Sequence, residues 1–202
     1  MGISDRKERE KQEMRKLIMN AAMEMFVKEG YEKTSLRNIA DKIEYSPATI
    51  YLYYKDKDEL LWGLQAEAFG KLNEIFQTSV TATDPVKQLE QLTKTYVEFG
   101  MNNPDLYDLM FIIRSPMNVK DDESWQNGSN AFKFLTDVIE RCGDRLRYKD
   151  AKTAALSCWA MVHGLVSLNV RGRCKVLELP GEEDINKILI QSVDEYIELI
   201  TR

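Results

Sequence analysis

Residues 34–60 read TSLRNIADKIEYSPATIYLYYKDKDEL, and the fold is decided there. Leu36, Ile39, Ala40 and Ile43 recur at i, i+3, i+4 and i+7, which is one face of a short helix over Ser35 to Ile43. Glu44 and Tyr45 interrupt that pattern. Ser46 then offers a hydroxyl to a free backbone N–H, and Pro47 suits the first helical position, where a missing donor costs nothing. A second helix is therefore expected from Pro47 to about Tyr54. Asp56 caps the next one, with Glu59 three residues on reaching back as a capping box. Helix, tight break, helix and immediate restart are the pattern of a helix-turn-helix, whose second helix enters a duplex groove.

The residues of the second short helix suit that role. Ile50 and Tyr54, four apart, anchor one side, which leaves Pro47, Ala48, Thr49, Tyr51 and Tyr53 near the other faces. Small residues allow close approach to a groove, and Ala or a Thr methyl can touch a thymine methyl. Tyr and Thr hydroxyls donate to phosphate, and Lys55 and Lys57 add charge near the helix end. A three-helix packing unit with a solvated tyrosine face fits the same spacing.

Around this unit the chain reads as helical throughout. The 202 residues include only five prolines and ten glycines, and no stretch alternates with period two, so the class is all-α with about nine helices. The net charge of −5 argues at first against a nucleic-acid partner. Residues 1–62, however, carry 12 Lys and Arg against 12 Asp and Glu, so the whole excess lies in residues 63–202. Residues 4–16, SDRKEREKQEMRK, interleave both signs and read more readily as a solvated helix face than as a basic arm. From Arg15 onward Ile18, Ala21, Ala22, Met25 and Phe26 form a stripe that stops at Gly30.

Further helices are expected from about Lys57 to Gln77, from Asp84-Pro85 to about Met101, and from Asn103-Pro104 to a stop at Ser115-Pro116. Another follows from about Ser124 to Cys142. The most apolar stretch, TAALSCWAMVHGLVSLNV, lies within Tyr148 to about Leu177, and a last helix spans Glu182 to Ile200. No run approaches the eighteen or so apolar residues of a membrane span, and the charged N-terminus is unlike a signal peptide, so no membrane role is expected. Three cysteines without a CxxC pair, Cys142, Cys158 and Cys174, fit buried thiols in a reducing cytoplasm.

Candidate chemistry is sparse. His163 is the sole histidine, which excludes a multi-histidine metal site, and no phosphate-cradling glycine loop or other cofactor motif appears, so no cofactor is expected. Cys158, five residues before His163, lies about 140° away around a helix, whereas Trp159 shares its face. A small enzyme working through His163 and a redox switch through the cysteines remain alternatives, though apolar surroundings suit inert thiols better. Tyr96, Phe99, Tyr107, Met110, Phe111, Trp125 and Phe132, with Trp159 and His163, supply the large side chains of a mostly apolar effector cavity. Core packing is the ordinary fate of each. Arg114 is the one basic residue amid that region.

SPATIYLYYKDKDELL resembles the recognition helix and exit of TetR-type transcriptional regulators. Arg15, Ile18, Ala21, Ala22, Phe26, Gly30, Tyr31, Thr34, Arg37, Ile39 and Ala40 fall where that family has such residues. The turn departs from it: the usual Gly-Val is Glu44-Tyr45 here, so a glutamate must tolerate left-handed angles or bend the turn differently. The resemblance implies a DNA-binding domain at residues 1–56, with Thr34, Ser35, Arg37 and Ser46 joining the contacts above. It also implies an effector-binding and dimerisation domain at residues 57–202. W-x-x-x-H-G at 159–164 is similar to one subgroup's ligand domain. The expected protein is a homodimer, joined through its two C-terminal helices, that acts as a repressor. Its two heads, about 34 Å apart, would read a pseudo-palindromic operator and release it when a small apolar effector binds.

Overall fold

Helix α1 (Ile3–Lys28) absorbs the charged leader as well as the apolar stripe behind it. Arg6–Glu10 and Arg9–Glu13 pairs at i,i+4 support the exposed part, and Gly30, at φ +90°, ends the run in the left-handed region. The computed structural model describes residues 3–113 and 126–202, with side chains described for 5–113 and 128–202. Among these residues the chain is helical, with α2 (Leu36–Lys42), α3 (Pro47–Tyr51), α4 (Lys57–Ser79), α5 (Pro85–Asn102), α6 (Pro104–Phe111), α7 (Gln126–Cys142), α8 (Ala151–Val170) and α9 (Glu182–Ile200). Trp125, Arg114 and the Ser115-Pro116 stop lie outside the described residues.

The described chain forms two compact units. One holds everything up to Ala68 together with the segment from Asp105; the other holds Phe69 to Pro104 and the chain from Gln126 onward. In the first, α1 packs on α2 and α2 on α3 around Ile18, Ala22, Phe26, Ile39, Ala40 and Ile50. Helix α6 belongs to this unit. Gln65 of α4, only 1% exposed, donates from Nε2 to the Leu109 carbonyl at 3.0 Å and, at the longer distance of 3.5 Å, to Ile113. It thereby satisfies a carbonyl at the end of α6 that no later helical turn can reach.

In the second unit α5 is central and packs on α7, α8 and α9, burying Leu89, Leu92 and Val97 against Val138, Cys158, Val162 and Val193. Asp84 caps α5 by accepting from the Val86 and Lys87 amides, with Pro85 in the first turn. Past Ile200 an isolated bridge joins Leu146 to Thr201.

Two expected boundaries shift for local reasons. Helix α3 ends at Tyr51 rather than Tyr54, although the Tyr53 and Tyr54 amides still donate to the Ile50 carbonyl. Asp56 then opens α4 by accepting from the Glu59 amide at 2.8 Å, and Glu59 reaches back to the Lys55 amide, one residue earlier than expected. Helix α8 starts at Ala151 because Asp150 caps it through the Thr153 amide at 2.7 Å. It stops before Gly172, at φ +64°, and a 3-10 turn (Arg173–Leu177) follows. Contrary to the sequence expectation, α8 is long and apolar enough by composition to match a membrane span, with a mean hydropathy of 1.3. Packing on α5 and α7 buries Ala154, Ala155, Cys158, Val162 and Val166, while Leu156 and Leu168 stay exposed, so packing accounts for only part of that composition.

Candidate functional site

Helices α2 and α3 are joined by a turn that carries a strained residue. Glu44 adopts φ +60°, the left-handed conformation a glycine would take at little cost. The Tyr45 amide closes the turn on the Ala40 carbonyl at 3.0 Å, and Ser46 then caps α3 by accepting from the Thr49 amide. Ser35 caps α2 reciprocally with Asn38, a capping box that the spacing of residues had not suggested.

Ile50 is fully buried and holds α3 against the unit. The faces turned away carry Ala48 and Tyr51, both exposed, with Pro47, Thr49 and Tyr53 partly so. Leu52 was absent from the expected contact set, yet it is 81% exposed. It keeps helical angles as the C-cap residue, which puts it about 160° around the axis from Ile50, at the centre of the outward face. Its i+4 and i+3 spacing from Ala48 and Thr49 could have found it. Ser35, Arg37, Ser46 and Lys55 are exposed.

Two expected contacts are engaged internally. Thr34 is buried rather than facing solvent, and its hydroxyl donates to the Gly30 carbonyl at 2.9 Å, bracing the corner between α1 and α2. The Lys57 ammonium donates to the Tyr31 carbonyl at 2.7 Å. Tyr31 in turn donates its hydroxyl to the Asp58 carboxylate, and burial together with that neighbouring carboxylate holds its pKa well above the ordinary tyrosine value.

The candidate effector residues divide between the two units. Tyr107, Met110 and Phe111 lie on α6 in the first, where Tyr107 and Met110 are buried and Tyr107 packs on Phe111 with ring centroids 5.2 Å apart. In the second, Tyr96 of α5 and His163 of α8 come together, with the phenol oxygen 3.1 Å from Nδ1. The His163 ring meets Trp159 at 6.0 Å, and Trp159 meets Phe132 of α7 at 5.8 Å. Phe99 is buried nearby on α5. Burial pushes the His163 pKa below its ordinary value, which favours the neutral ring. One polar pair closing a row of aromatic rings is suited to orienting an apolar molecule that carries a single polar group.

Cys142, Cys158 and Cys174 are all unpaired and buried, and burial raises each thiol, that of Cys158 to about 11. Such thiols are poor nucleophiles and poor redox sensors. The Cys158 sulfur accepts from the Tyr196 hydroxyl at 3.9 Å, an arrangement separate from the Tyr96–His163 pair. Among the described residues no group of three or more His, Cys, Asp or Glu converges as a metal site.

Comparison with known proteins agrees with this architecture. Residues 18–62 match the bacterial regulatory proteins of the tetR family, and residues 89–193 match the tetracyclin repressor-like, C-terminal domain. An uncharacterised HTH-type transcriptional regulator of Haemophilus influenzae is 28% identical over 147 residues, 72% of each chain. The HTH-type regulator YvkB of Bacillus subtilis is 30% identical over 132 residues, 64% of this chain and 68% of its own. Among solved structures, the fatty acid degradation regulator FadR of Bacillus halodurans superposes with a TM-score of 0.72 at 19% identity, over 91% of this chain and 93% of its own. Matched in both its reading unit and its C-terminal domain, the chain belongs to the TetR family of helix-turn-helix transcriptional regulators.

Proposed function

We propose that the protein is a repressor that occupies a pseudo-palindromic operator as a homodimer and leaves it when a small, mostly apolar effector binds. The observation that carries this reading is the outward face of α3, where Ala48, Tyr51 and Leu52 are exposed opposite the buried Ile50. Small and apolar side chains there suit contact with thymine methyl groups, while Ser46, Thr49, Tyr51 and Tyr53 supply hydroxyls for phosphate and base edges. One such helix spans only a few base pairs, so two heads one helical turn apart are needed for a specific site.

The C-terminal helices offer the surface that would join two copies. On α8, Leu156, Ala160, Gly164, Ser167 and Leu168 share one side, with Leu156 57% and Leu168 51% exposed. Small residues at its middle allow a second helix to come close. On α9, Leu199 is 70% exposed. Apolar side chains left in water at this density suit pairing with their own copies in a four-helix interface.

The effector would lie against Tyr96, His163, Trp159 and Phe132 and favour a conformation in which the heads no longer match the operator spacing. A coupling of about 1–3 kcal/mol gives a 5–150-fold loss of affinity. The test is enrichment of duplexes from a randomised pool by the purified protein, with its mass measured by light scattering. A dyad-symmetric sequence with half-sites about 10 base pairs apart, bound by a dimer, is expected. An enriched sequence without symmetry, or a monomer at micromolar concentration, would overturn the reading.

A further inference from the structure

The first four turns of α1 face the exit of α3 across a groove of about 420 Å³, lined by Lys7, Glu10, Lys11, Met14, Leu52 and Tyr53. One face of α1 makes this wall. Lys7, Lys11, Met14 and Ile18 recur at i, i+4, i+7 and i+11, so the row that is buried in the head at Ile18 continues outward through Met14 and becomes basic at Lys11 and Lys7. The leader is solvated as its sequence suggests, residues 5–13 being exposed, but one of its faces is basic.

Its charges are sorted by pairing. The Glu10 carboxylate is held by Arg6 at 2.8 Å, Glu13 by Arg9 at 3.8 Å, and Glu8 accepts from Gln12 at 2.9 Å. Lys7 and Lys11 make no ion pair among the described residues and border the groove. A sequence balanced in charge over its first 62 residues thus presents two uncompensated cations on the side next to Leu52 and Tyr53.

We infer that this groove takes the sugar–phosphate backbone of the duplex read by α3, with Lys7 and Lys11 clamping phosphates beside the half-site. This rests on the assignment of α3 as the reading helix. Continuity with Leu52 and Tyr53 brings the strand leaving α3 directly alongside the lysines. Four residues of helix separate the two ammonium groups by about 6 Å along the axis, close enough to engage neighbouring phosphates of one strand. The contact carries no base information, so it strengthens binding to every sequence alike.

The test is the salt dependence of binding, followed by fluorescence anisotropy with two labelled probes: a duplex enriched by the protein from a randomised pool, and a scrambled duplex of equal length. Wild type is compared with the double variant Lys7→Gln, Lys11→Gln. Lys16→Gln serves as control, since Lys16 lies on the opposite side of α1 from this face. The double variant should flatten the slope of log K against log salt by about 2, because each neutralised phosphate contributes about 0.9. It should weaken both probes by a similar factor and keep the helix content measured by circular dichroism. The Lys16 variant should keep the wild-type slope. A slope unchanged in the double variant, or flattened equally by Lys16→Gln, would overturn the clamp while leaving α3 as the reader. Wild type that binds neither duplex at low salt would overturn the reading assignment itself.

Discussion

The Lys57 ammonium sits 4.1 Å above the centre of the Tyr31 ring while donating to the carbonyl of the same residue. A lysine expected at phosphate also fastens the first turn of α4 to the corner after α1. Lys57→Met removes a charged hydrogen bond and a cation–π contact, together worth about 1–2 kcal/mol at a partly exposed site. The thermal midpoint should fall by about 2–8 °C, the usual response of a chain of this length to such a loss. An unchanged midpoint combined with a flatter salt slope for DNA binding would return Lys57 to the phosphate.

Glu44 stands at a position made for glycine. Left-handed backbone costs a residue with a β-carbon about 1 kcal/mol or more, partly offset by the extra freedom glycine has when unfolded. Its exposed carboxylate has no partner among the described residues that would be lost. Glu44→Gly should therefore raise the denaturant midpoint by the equivalent of about 0.5–1 kcal/mol, with Glu44→Gln as a control for charge alone. A lower midpoint for the glycine variant would mean that the side chain stabilises the turn.

Leu52 was missed by spacing arguments confined to hydroxyl-bearing and very small residues. Leu52→Ala should weaken the enriched duplex about fivefold, the loss of roughly 1 kcal/mol of apolar contact, and leave a scrambled duplex nearly unaffected. Replacing thymine by deoxyuridine in the half-sites should cost wild type a similar factor and cost the variant little. Full sensitivity to the missing methyl groups in both proteins would place the thymine contact elsewhere on α3.

His163 titrates alone, as the chain has no other histidine. Burial lowers its folded pKa below the ordinary 6.5. As pH falls through that value the unfolded chain takes up a proton before the folded one does, so stability present above pH 7 is lost on acidification. The urea midpoint should drop between pH 7.5 and 5.5 in wild type, and His163→Gln should lack that component. Identical pH profiles would show that the imidazole is solvated well enough to titrate normally.

Much of the architecture was legible because it rests on local chemistry. Ser46-Pro47 and Asp84-Pro85 announce helix starts through one side-chain oxygen and one missing N–H, and both stand where expected. Gly30 marks a stop for an equally local reason. What the sequence hid depends on contacts between distant residues. Thr34 looks like any exposed threonine until the Gly30 carbonyl is found beside it, and Lys57 resembles a free cation until Tyr31 is placed beneath it. The aromatic residues around Tyr107 and those around His163 look alike in composition. Only packing assigns them to different compact units.

That assignment changes how a signal has to travel. Because Gln65 ties the end of α6 to the helix leaving the reading head, Tyr107 and Met110 are part of the head's own interior. A molecule pressing on them would act inside the compact unit that holds α1 to α3, whereas one held at Tyr96 and His163 would lie in the other unit.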